Sequence, residues 1–342
     1  MDFIRIDFII IITFCIKGNI MTSFELFNHI SEELDQVEEQ LINNVQSDLS
    51  ILENASTHLV KAGGKRLRPA FALLSAKFFS PSVQDVIPLA TALELIHMAT
   101  LVHDDVIDNS SLRRGRETVK SGWGNRMSIY AGNFVFARAL LLVESYHRSD
   151  IVDVLADASM RICEGEIQQM VSCYDTQQGL KDYLHRIERK TALLIAVSCQ
   201  LGAMVMNAET REITALKRYG YYLGMAFQIT DDILDFTASE EVLGKPVGSD
   251  IRQGVITLPS IYAIKFDQRG QELKTLLGSP ESCAERAEEI IDIIISSDGI
   301  EYAYQVTKKY ADLAIRQLQF LPDVSVRKAL ADMACFISGR DF

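Results

Sequence analysis

The sequence has few prolines, and no series of its segments alternates apolar and polar residues between turn residues. It contains 7 prolines in 342 residues, and an all-β protein would show repeated short strands punctuated by turns. It also has no low-complexity segment, linker or short-period repeat. Apolar residues make up 48% and charged residues 23% of the chain, which supplies a core and excludes general disorder. We therefore predict an all-α fold, with residues 21–342 forming one large helical bundle.

A basic surface and paired cysteines are also lacking. The net charge of −12 leaves no electrostatic footprint for nucleic acid, so we expect no nucleic-acid partner. The six cysteines include no C-x-x-C pair and have no histidine-rich neighbourhood, which argues against a zinc site or a disulfide framework. They are Cys15, Cys163, Cys173, Cys199, Cys283 and Cys335. Reduced thiols of this kind are typical of a cytoplasmic protein, and we expect that location.

The N-terminal apolar run, Phe8–Ile16, is too short to span a bilayer. Asp2 and Asp7 weaken the positive start that a signal peptide needs, and no small-x-small cleavage site follows. We interpret residues 1–20 as a dispensable extension. Peripheral contact with a membrane is the alternative interpretation.

Apolar residues recur at helical spacing along most of the chain. The predicted helices are Ser23–Leu59, Ala70–Phe79, Val86–Ile107, Met127–Tyr146, Ile151–Val171, Leu180–Met206, Ile213–Phe236, Thr257–Ile264, Pro280–Ser296 and Ile300–Leu321. Gly220 and Gly224 should allow one of these helices to pack closely against a neighbour.

Two of the predicted helices end in triplets of aspartate. The first aspartate cluster is Asp104, Asp105 and Asp108, and the second is Asp231, Asp232 and Asp235. Residues four apart share a helix face, and apolar neighbours indicate that these carboxylates are partly buried. Buried carboxylates require cations. Because the ligands are hard oxygens with no His/Cys set beside them, they favour Mg²⁺ that also binds substrate phosphates.

Positive charge is concentrated at a few places. The first is the glycine turn Ala62–Pro69, where Lys65, Arg66 and Arg68 precede a helix start and could form a phosphate cradle, although a solvated basic turn is equally compatible. Arg113 and Arg114 follow the first aspartate cluster, and their planar guanidinium groups suit bidentate binding of diphosphate.

Further polar groups adjoin the predicted helices. His97 lies about two turns before Asp104, so it is either a satisfied core residue or a ligand contact. The pair Arg189-Lys190 is either a snorkelling edge or a cation that faces a central cavity. Gln228 and Lys245 flank the second aspartate cluster.

Carboxylate clusters with dispersed cations fit one chemistry best. They would bind a substrate's diphosphate groups through Mg²⁺ and stabilise the negative charge that develops as diphosphate departs. Glycoside hydrolysis by a carboxylate pair is the alternative, but it needs neither triplets nor the surrounding Arg and Lys residues.

The motifs taken together resemble one family, the trans-isoprenyl diphosphate synthases or polyprenyl synthetases, from about residue 24 to the end. The resemblance rests on Gly-Gly-Lys-Arg-Leu-Arg-Pro at 63–69, the first D-D-x-x-D with its Arg-Arg-Gly, Arg-Lys-Thr at 189–191, Gln-Ile-Thr-Asp-Asp-Ile-Leu-Asp-Phe at 228–236, and Gly-Lys-Pro-Val-Gly-Ser-Asp at 244–250. It implies an all-α isoprenoid synthase bundle around a central cavity. It also implies a prenyltransferase that uses Mg²⁺, about three ions per active site.

The resemblance also implies roles for individual residues. Lys190, Asp104 and Asp231 would be catalytic, and Asp104, Asp108, Asp231 and Asp235 would bind Mg²⁺. Isopentenyl diphosphate would be held by Lys65, Arg68, His97 and Arg114. The allylic diphosphate would be held by Arg113, Lys190, Thr191, Gln228 and Lys245. Val255 stands where many relatives carry a lysine that contacts the allylic diphosphate, so that contact is in doubt.

Product length should depend on the helix that ends at Asp104. Ala99 and Thr100 lie about one turn before Asp104 and are small, which leaves a tunnel open for a long prenyl tail, with Leu93 or Ile96 as candidate floors. Each buried isoprene unit contributes roughly 2–3 kcal/mol at about 25 cal/mol per Å². The resemblance implies heptaprenyl diphosphate, made from farnesyl diphosphate and isopentenyl diphosphate for the menaquinone side chain. It also implies that the catalytic chain forms a heterodimer with a smaller subunit.

Four alternatives stay open at this point. A homodimeric hexaprenyl, octaprenyl or solanesyl diphosphate synthase is the nearest. A longer product than these is also compatible with an open tunnel. A terpene cyclase would not need Lys65, Arg68 and His97, and a silent partner subunit should have degraded aspartate clusters.

Overall fold

The computed structural model describes residues 28–113, 115–239 and 247–339. Its helices are α1 Ser31–Asn44, α2 Ser50–Lys61, α3 Leu67–Ala76, α4 Ile87–Ile107, α5 Val119–Glu144, α6 Ser149–Val171, α7 Leu180–Ile187, α8 Leu193–Val205, α9 Thr210–Thr237, α10 Ser249–Arg252, α11 Leu258–Phe266, α12 Gly270–Leu277, α13 Pro280–Glu285, α14 Ala287–Ser296, α15 Gly299–Leu318 and α16 Ser325–Ile337. A 3₁₀ turn, Gln84–Val86, precedes α4, and a π turn, Glu188–Ala192, joins α7 to α8. Within the described ranges, β1 Leu112–Arg113 and β2 Arg116–Glu117 form a two-stranded antiparallel hairpin. The predicted all-α fold is confirmed.

Helix α4 is central because it is apolar on nearly every side. A helix that is apolar all round is stable only when it is buried, and α4 packs against α1, α3 and α5. It belongs to a core cluster that also includes α8 and the first half of α9. The second half of α9 enters another core cluster with α11–α15. Helices α4 and α9 are therefore both core helices, and each ends in one of the aspartate clusters.

The two glycines of α9 permit the close packing that the sequence predicts. A Cβ atom on Gly224 would lie 2.5 Å from Ala192 Cα, and one on Gly220 would lie 2.8 Å from Ala196 Cα. Real Cβ atoms do not approach so closely, so larger residues would push the helices apart. The backbone of α9 is thus held against the π turn and α8.

Several helix boundaries differ from the prediction: α5 begins at Val119 and not at Met127, the π turn divides the predicted helix Leu180–Met206, and two other predicted helices are divided by non-helical residues. The predicted helix Ser23–Leu59 is interrupted between Asn44 and Ser50, where the Leu49 N–H donates to Ser47 Oγ (3.2 Å) in a polar turn. Its first residues, like the N-terminal extension, lie outside the described residues. The predicted helix Pro280–Ser296 divides into α13 and α14 at Arg286, whose φ is −117°. Short α10 and α12 and the longer α16 were not predicted.

Two described segments are long and apolar enough to cross a membrane by length and composition alone, Gln84–Ile107 and Val119–Glu144. The apolar window of the first is 72% buried inside the protein, and that of the second is 33% buried. The first is therefore explained as a core helix. The second, α5, exposes much of its apolar surface.

Arg66 ties together the helices around the glycine turn. Its side chain is 4% exposed, and its guanidinium donates to Glu94 of α4 (3.0 Å), Glu38 of α1 (3.1 Å) and the Val60 carbonyl of α2 (3.2 Å). A buried guanidinium that already serves three acceptors is a structural group. The structure therefore does not support Arg66 as a member of a phosphate cradle with Lys65 and Arg68.

We expect Arg66→Met to destabilise the protein by about 3–5 kcal/mol, since it leaves buried Glu94 and Glu38 without their cation. Denaturant unfolding followed by circular dichroism measures the change. Arg269→Met is the matched control, because Arg269 also pairs with a glutamate, Glu272 (2.8 Å), but in an exposed position. Equal unfolding midpoints for the two variants would contradict the structural role of Arg66.

Candidate active site

The first aspartate cluster lies at the C-terminal end of α4, where the helix dipole is negative. Asp105 is 2% exposed and accepts a hydrogen bond from Arg113 Nε (2.7 Å), whereas Asp108 is exposed. Asp104 is half-buried. Burial, together with the charges of Glu166 and Asp108, raises the pKa of Asp104 to about 7, and Lys190 opposes that rise. The cluster is therefore short of positive charge.

The second aspartate cluster occupies the last turns of α9 and has the same polarity. Asp232 is 3% exposed, and its two oxygens accept hydrogen bonds from Tyr183 Oη (2.6 Å) and Gln228 Nε2 (2.8 Å). Burial raises the pKa of Asp232 to about 7, and the charge of Asp250 adds to the effect. Asp235 is 1% exposed and accepts from the Asp250 N–H (3.1 Å), whereas Asp231 is exposed.

Residues of the π turn Glu188–Ala192 interact with both aspartate clusters. Lys190 Nζ donates to Gln169 Oε1 (2.9 Å), and its charge acts on Asp104 of the first cluster. The next residue, Thr191, donates through Oγ1 to Gln228 Oε1 (2.6 Å), and Gln228 in turn holds Asp232 of the second. Single π turns often mark functional sites. One turn thus connects the two carboxylate clusters.

Ion pairs between α6 and the π turn hold the π turn in place. Glu188 pairs with Arg161, and Arg189 pairs with Glu164 (3.0 Å). A Cβ atom on Gly165 would lie 2.6 Å from Arg189 Cβ, so α6 and the π turn are in close contact. Arg189 is therefore held at the edge of α6, whereas Lys190 is exposed and its charge acts on Asp104.

The glycine turn lies beside α4 and α9. The Arg66–Glu94 pair attaches it to α4 one turn before His97, which is half-buried. Lys65 Nζ lies 5.9 Å from the centre of the Phe227 ring, next to Gln228 on α9. The structure therefore places Lys65 close to α9, about one turn before Asp231, and places the glycine turn next to the part of α4 that carries His97.

Several sequence-predicted residues need separate mention. Arg114 and Lys245 lie outside the described residues. Arg68 is described and half-buried in the first turn of α3. Val255 uses its N–H to bond the Asp250 carbonyl (2.8 Å), and its aliphatic side chain cannot replace a lysine.

Sequence reasoning missed several polar residues of the site. They are Glu166, Gln169, Tyr183, Arg186 and Asp250. Tyr183 could have been found, because it stands seven residues, about two helical turns, before Lys190. Gln169 could not, since its contact depends on how α6 packs.

The carboxylates of the two clusters fit a cation that is bound jointly by the protein and a substrate. In the described ranges, no three His, Cys, Asp or Glu side chains converge closely enough to hold a metal ion by themselves. Mg²⁺ usually takes one or two protein carboxylates and completes its shell with water and substrate phosphate. Two separated carboxylate clusters at negative helix ends match that mode of binding.

Comparisons with known proteins identify the family of this chain. The family model for polyprenyl synthetase matches residues 49–294. Heptaprenyl diphosphate synthase component 2 of Geobacillus stearothermophilus is 46% identical over 317 residues, which are 93% of this chain and 98% of that protein. The crystal structure of heptaprenyl diphosphate synthase from Staphylococcus aureus has a TM-score of 0.85 and 39% identity, covering 92% of this chain and 99% of its own.

A polyprenyl synthase from Caulobacter crescentus, crystallised with calcium and isoprenyl diphosphate, has a TM-score of 0.87 and 35% identity, with 92% of this chain and 97% of its own covered. These relatives span nearly the whole chain and share its all-α fold. The likeness favours neither a terpene cyclase nor a non-catalytic subunit. The chain therefore belongs to the polyprenyl synthetase family and is a prenyltransferase of the long-chain type.

Proposed function

We propose that this chain is the catalytic subunit of a heptaprenyl diphosphate synthase. It adds isopentenyl diphosphate units to an allylic primer, farnesyl diphosphate, in the cytoplasm, and its product becomes the menaquinone side chain after release at a membrane surface. The observation that carries the proposal is the π turn: the charge of Lys190 acts on Asp104, and Thr191 bonds Gln228, which bonds Asp232. The product name comes from the 46% identical relative.

The outer carboxylates of each cluster are the proposed metal ligands. Asp104 and Asp108 would bind Mg²⁺ from one side and Asp231 and Asp235 from the other, about three ions in all. When bound, Mg²⁺ neutralises the charge that develops on the departing diphosphate. The complex of the Caulobacter crescentus relative with calcium and isoprenyl diphosphate supports a divalent cation here.

The protein's own polar groups orient the allylic diphosphate. Lys190 offers an ammonium group beside Asp104, and Thr191 and Gln228 offer hydrogen-bonding groups on the opposite side of the turn. Arg113 is aligned by Asp105 through Nε, and its guanidinium has further N–H donors. Lys245 completes the proposed set. These cations stabilise the diphosphate as its bond to the allylic carbon breaks.

The second substrate would be held from the glycine turn. Lys65, Arg68, His97 and Arg114 bind the diphosphate of isopentenyl diphosphate in this proposal. Its double bond attacks the allylic cation, one carbon–carbon bond forms, and one proton is lost. The departing diphosphate takes that proton, because no protein base stands out among the described residues of the site.

We expect Asp104→Ala and Asp231→Ala each to lower turnover by roughly a hundredfold or more, since each removes a charge that the departing diphosphate depends on. The assay follows labelled isopentenyl diphosphate with farnesyl diphosphate, Mg²⁺ and the partner subunit, and circular dichroism checks helix content. Asp292→Ala, at an exposed position of α14, is the control. Near-normal turnover in either active-site variant would refute a metal role for that residue.

The tail tunnel is proposed to run along α4, away from the aspartates. Ala99 is 1% exposed, and the Thr100 hydroxyl donates to the His97 carbonyl (2.7 Å). Neither side chain therefore extends far from the backbone of α4. Ile96 and Leu93 continue the apolar wall and are fully buried. The small side chains at positions 99 and 100 support a long product.

Ala99→Phe should shorten the product, because the ring would close the tunnel about one turn from the proposed metal ligand Asp104. Ala92→Phe, two turns farther from the aspartates on the same face of α4, should give a product longer than that of Ala99→Phe. Chromatography of the dephosphorylated prenols measures both. An unchanged product spectrum in Ala99→Phe would discard this placement of the tunnel, and the wild-type product decides between heptaprenyl and the hexaprenyl, octaprenyl, solanesyl or longer alternatives.

Helices α5 and α6 expose an apolar face that we assign to the partner subunit. Its most exposed side chains are Ile129, Tyr130, Leu140 and Leu141 of α5 and Val152, Met160, Ile167, Met170 and Val171 of α6. Contiguous exposed apolar surface marks interaction sites. Because the 46% identical relative is named as component 2, we propose that the occupant is a different, smaller polypeptide rather than a second copy.

Ile167→Glu should prevent co-purification with the smaller subunit, since it places a charge in the centre of this face. Phe266→Glu, equally exposed on α11 but away from the face, is the matched control. Light scattering after size exclusion gives the assembly masses. A chain that forms an active dimer of twice 38.3 kDa by itself would establish the homodimer instead.

A further inference from the structure

Tyr183 supplies a buried hydrogen bond that the chemistry above does not use. Its side chain is fully buried, and its hydroxyl donates to Asp232 Oδ2 at 2.6 Å. Asp232 is itself 3% exposed. A buried carboxylate is tolerated only when its oxygens are satisfied, so Tyr183 provides one of the two bonds that keep Asp232 in place.

This bond is the end of a continuous polar network. Asp232 Oδ1 accepts from Gln228 Nε2 (2.8 Å), and Gln228 Oε1 accepts from Thr191 (2.6 Å). The direction of each group is therefore set by its neighbour. Thr191 belongs to the π turn next to Lys190, so the network runs from the Tyr183 hydroxyl to the proposed allylic diphosphate contacts.

The ring of Tyr183 has no freedom to turn away. The Arg186 guanidinium lies 5.6 Å from the centre of the ring. Arg186 is 4% exposed and donates to the Ile256 carbonyl (2.5 Å) and to Gln178 Oε1 (2.7 Å). The hydroxyl is thus anchored to the chain around Ile256 and not only to its own helix.

We propose that Tyr183 is a positioning residue of the active site, which fixes Asp232 and thereby the turn of α9 that carries Asp231 and Asp235. The inference rests on the proposed metal role of those two aspartates. Residues behind metal ligands typically change metal affinity or activity by 10–100-fold when they are replaced. Tyr183 touches neither substrate nor metal in this role.

Tyr183→Phe tests the proposal, because it removes one oxygen and leaves the ring packed. We expect the Mg²⁺ concentration for half-maximal turnover to rise roughly tenfold or more. Isothermal titration of Mg²⁺ and inorganic pyrophosphate into the enzyme should show the same weakening without turnover. Tyr219→Phe is the matched control: Tyr219 is equally buried, and its hydroxyl donates to the Leu330 carbonyl (2.8 Å), remote from the aspartates.

The two variants separate positioning from simple stabilisation. If each lowers the melting temperature but Tyr183→Phe alone raises the Mg²⁺ requirement, the proposal holds. If Tyr183→Phe keeps the wild-type requirement, or Tyr219→Phe raises it equally, the proposal is overturned. Should Tyr183→Phe not fold, Asp232→Asn perturbs the same bond from the other side, and a wild-type Mg²⁺ requirement in that variant overturns the proposal too.

A double-mutant cycle gives the most specific result. Tyr183→Phe and Asp232→Asn should be strongly non-additive in Mg²⁺ requirement, because both act through one hydrogen bond; additive effects would show that Tyr183 does not act through Asp232. The outcome is separable from that of the proposed function. If Asp104→Ala and Asp231→Ala abolish turnover while Tyr183→Phe has no effect, only the positioning role fails.

Discussion

Negative charge at the ends of α4 and α9 is the constraint on which the rest of the site depends. Each helix places an aspartate triplet at the negative end of its own dipole, partly out of water. The protein resolves this by dividing each triplet. Asp105 and Asp232, the middle residues, are buried and bonded to Arg113 and to Tyr183 with Gln228. Asp235 is buried as well and accepts from the Asp250 N–H. Asp108 and Asp231 remain exposed, which leaves charge available for a cation that arrives with its diphosphate.

The π turn lies between two side chains that hold the second aspartate cluster, Tyr183 of α7 and Thr191 of the π turn itself. Tyr183 and Thr191 are eight residues apart, which in a regular α-helix would put them roughly 80° out of phase. The wider π turn absorbs most of that difference. Both side chains therefore reach α9, where they hold Asp232 and Gln228 one turn apart.

The sequence was sufficient for the fold class, most helix positions and the two aspartate clusters, because these depend on local periodicity and on motifs. Gly220 and Gly224 were also read correctly, since only close packing explains two glycines one turn apart inside a long helix. The resemblance already separates Asp105 and Asp232 from the predicted metal ligands, whereas the burial of Asp235 was not predictable, because it depends on tertiary packing. Arg66 shows the same limit: beside Lys65 and Arg68 in the sequence it looks like a phosphate ligand, yet Glu38 and Glu94 come from distant segments.

Helix α6 connects the exposed face to the reactive turn. Its outer side carries Met160 and Ile167, and its inner side carries Arg161 and Gln169, which bond Glu188 and Lys190. Ion pairs at a surface contribute little while water screens them. A subunit that covers the outer side would remove water from the rim of α6 and strengthen the nearby pairs. If the proposed heterodimer forms through this face, the contact that assembles the enzyme would also stabilise the π turn that carries Lys190.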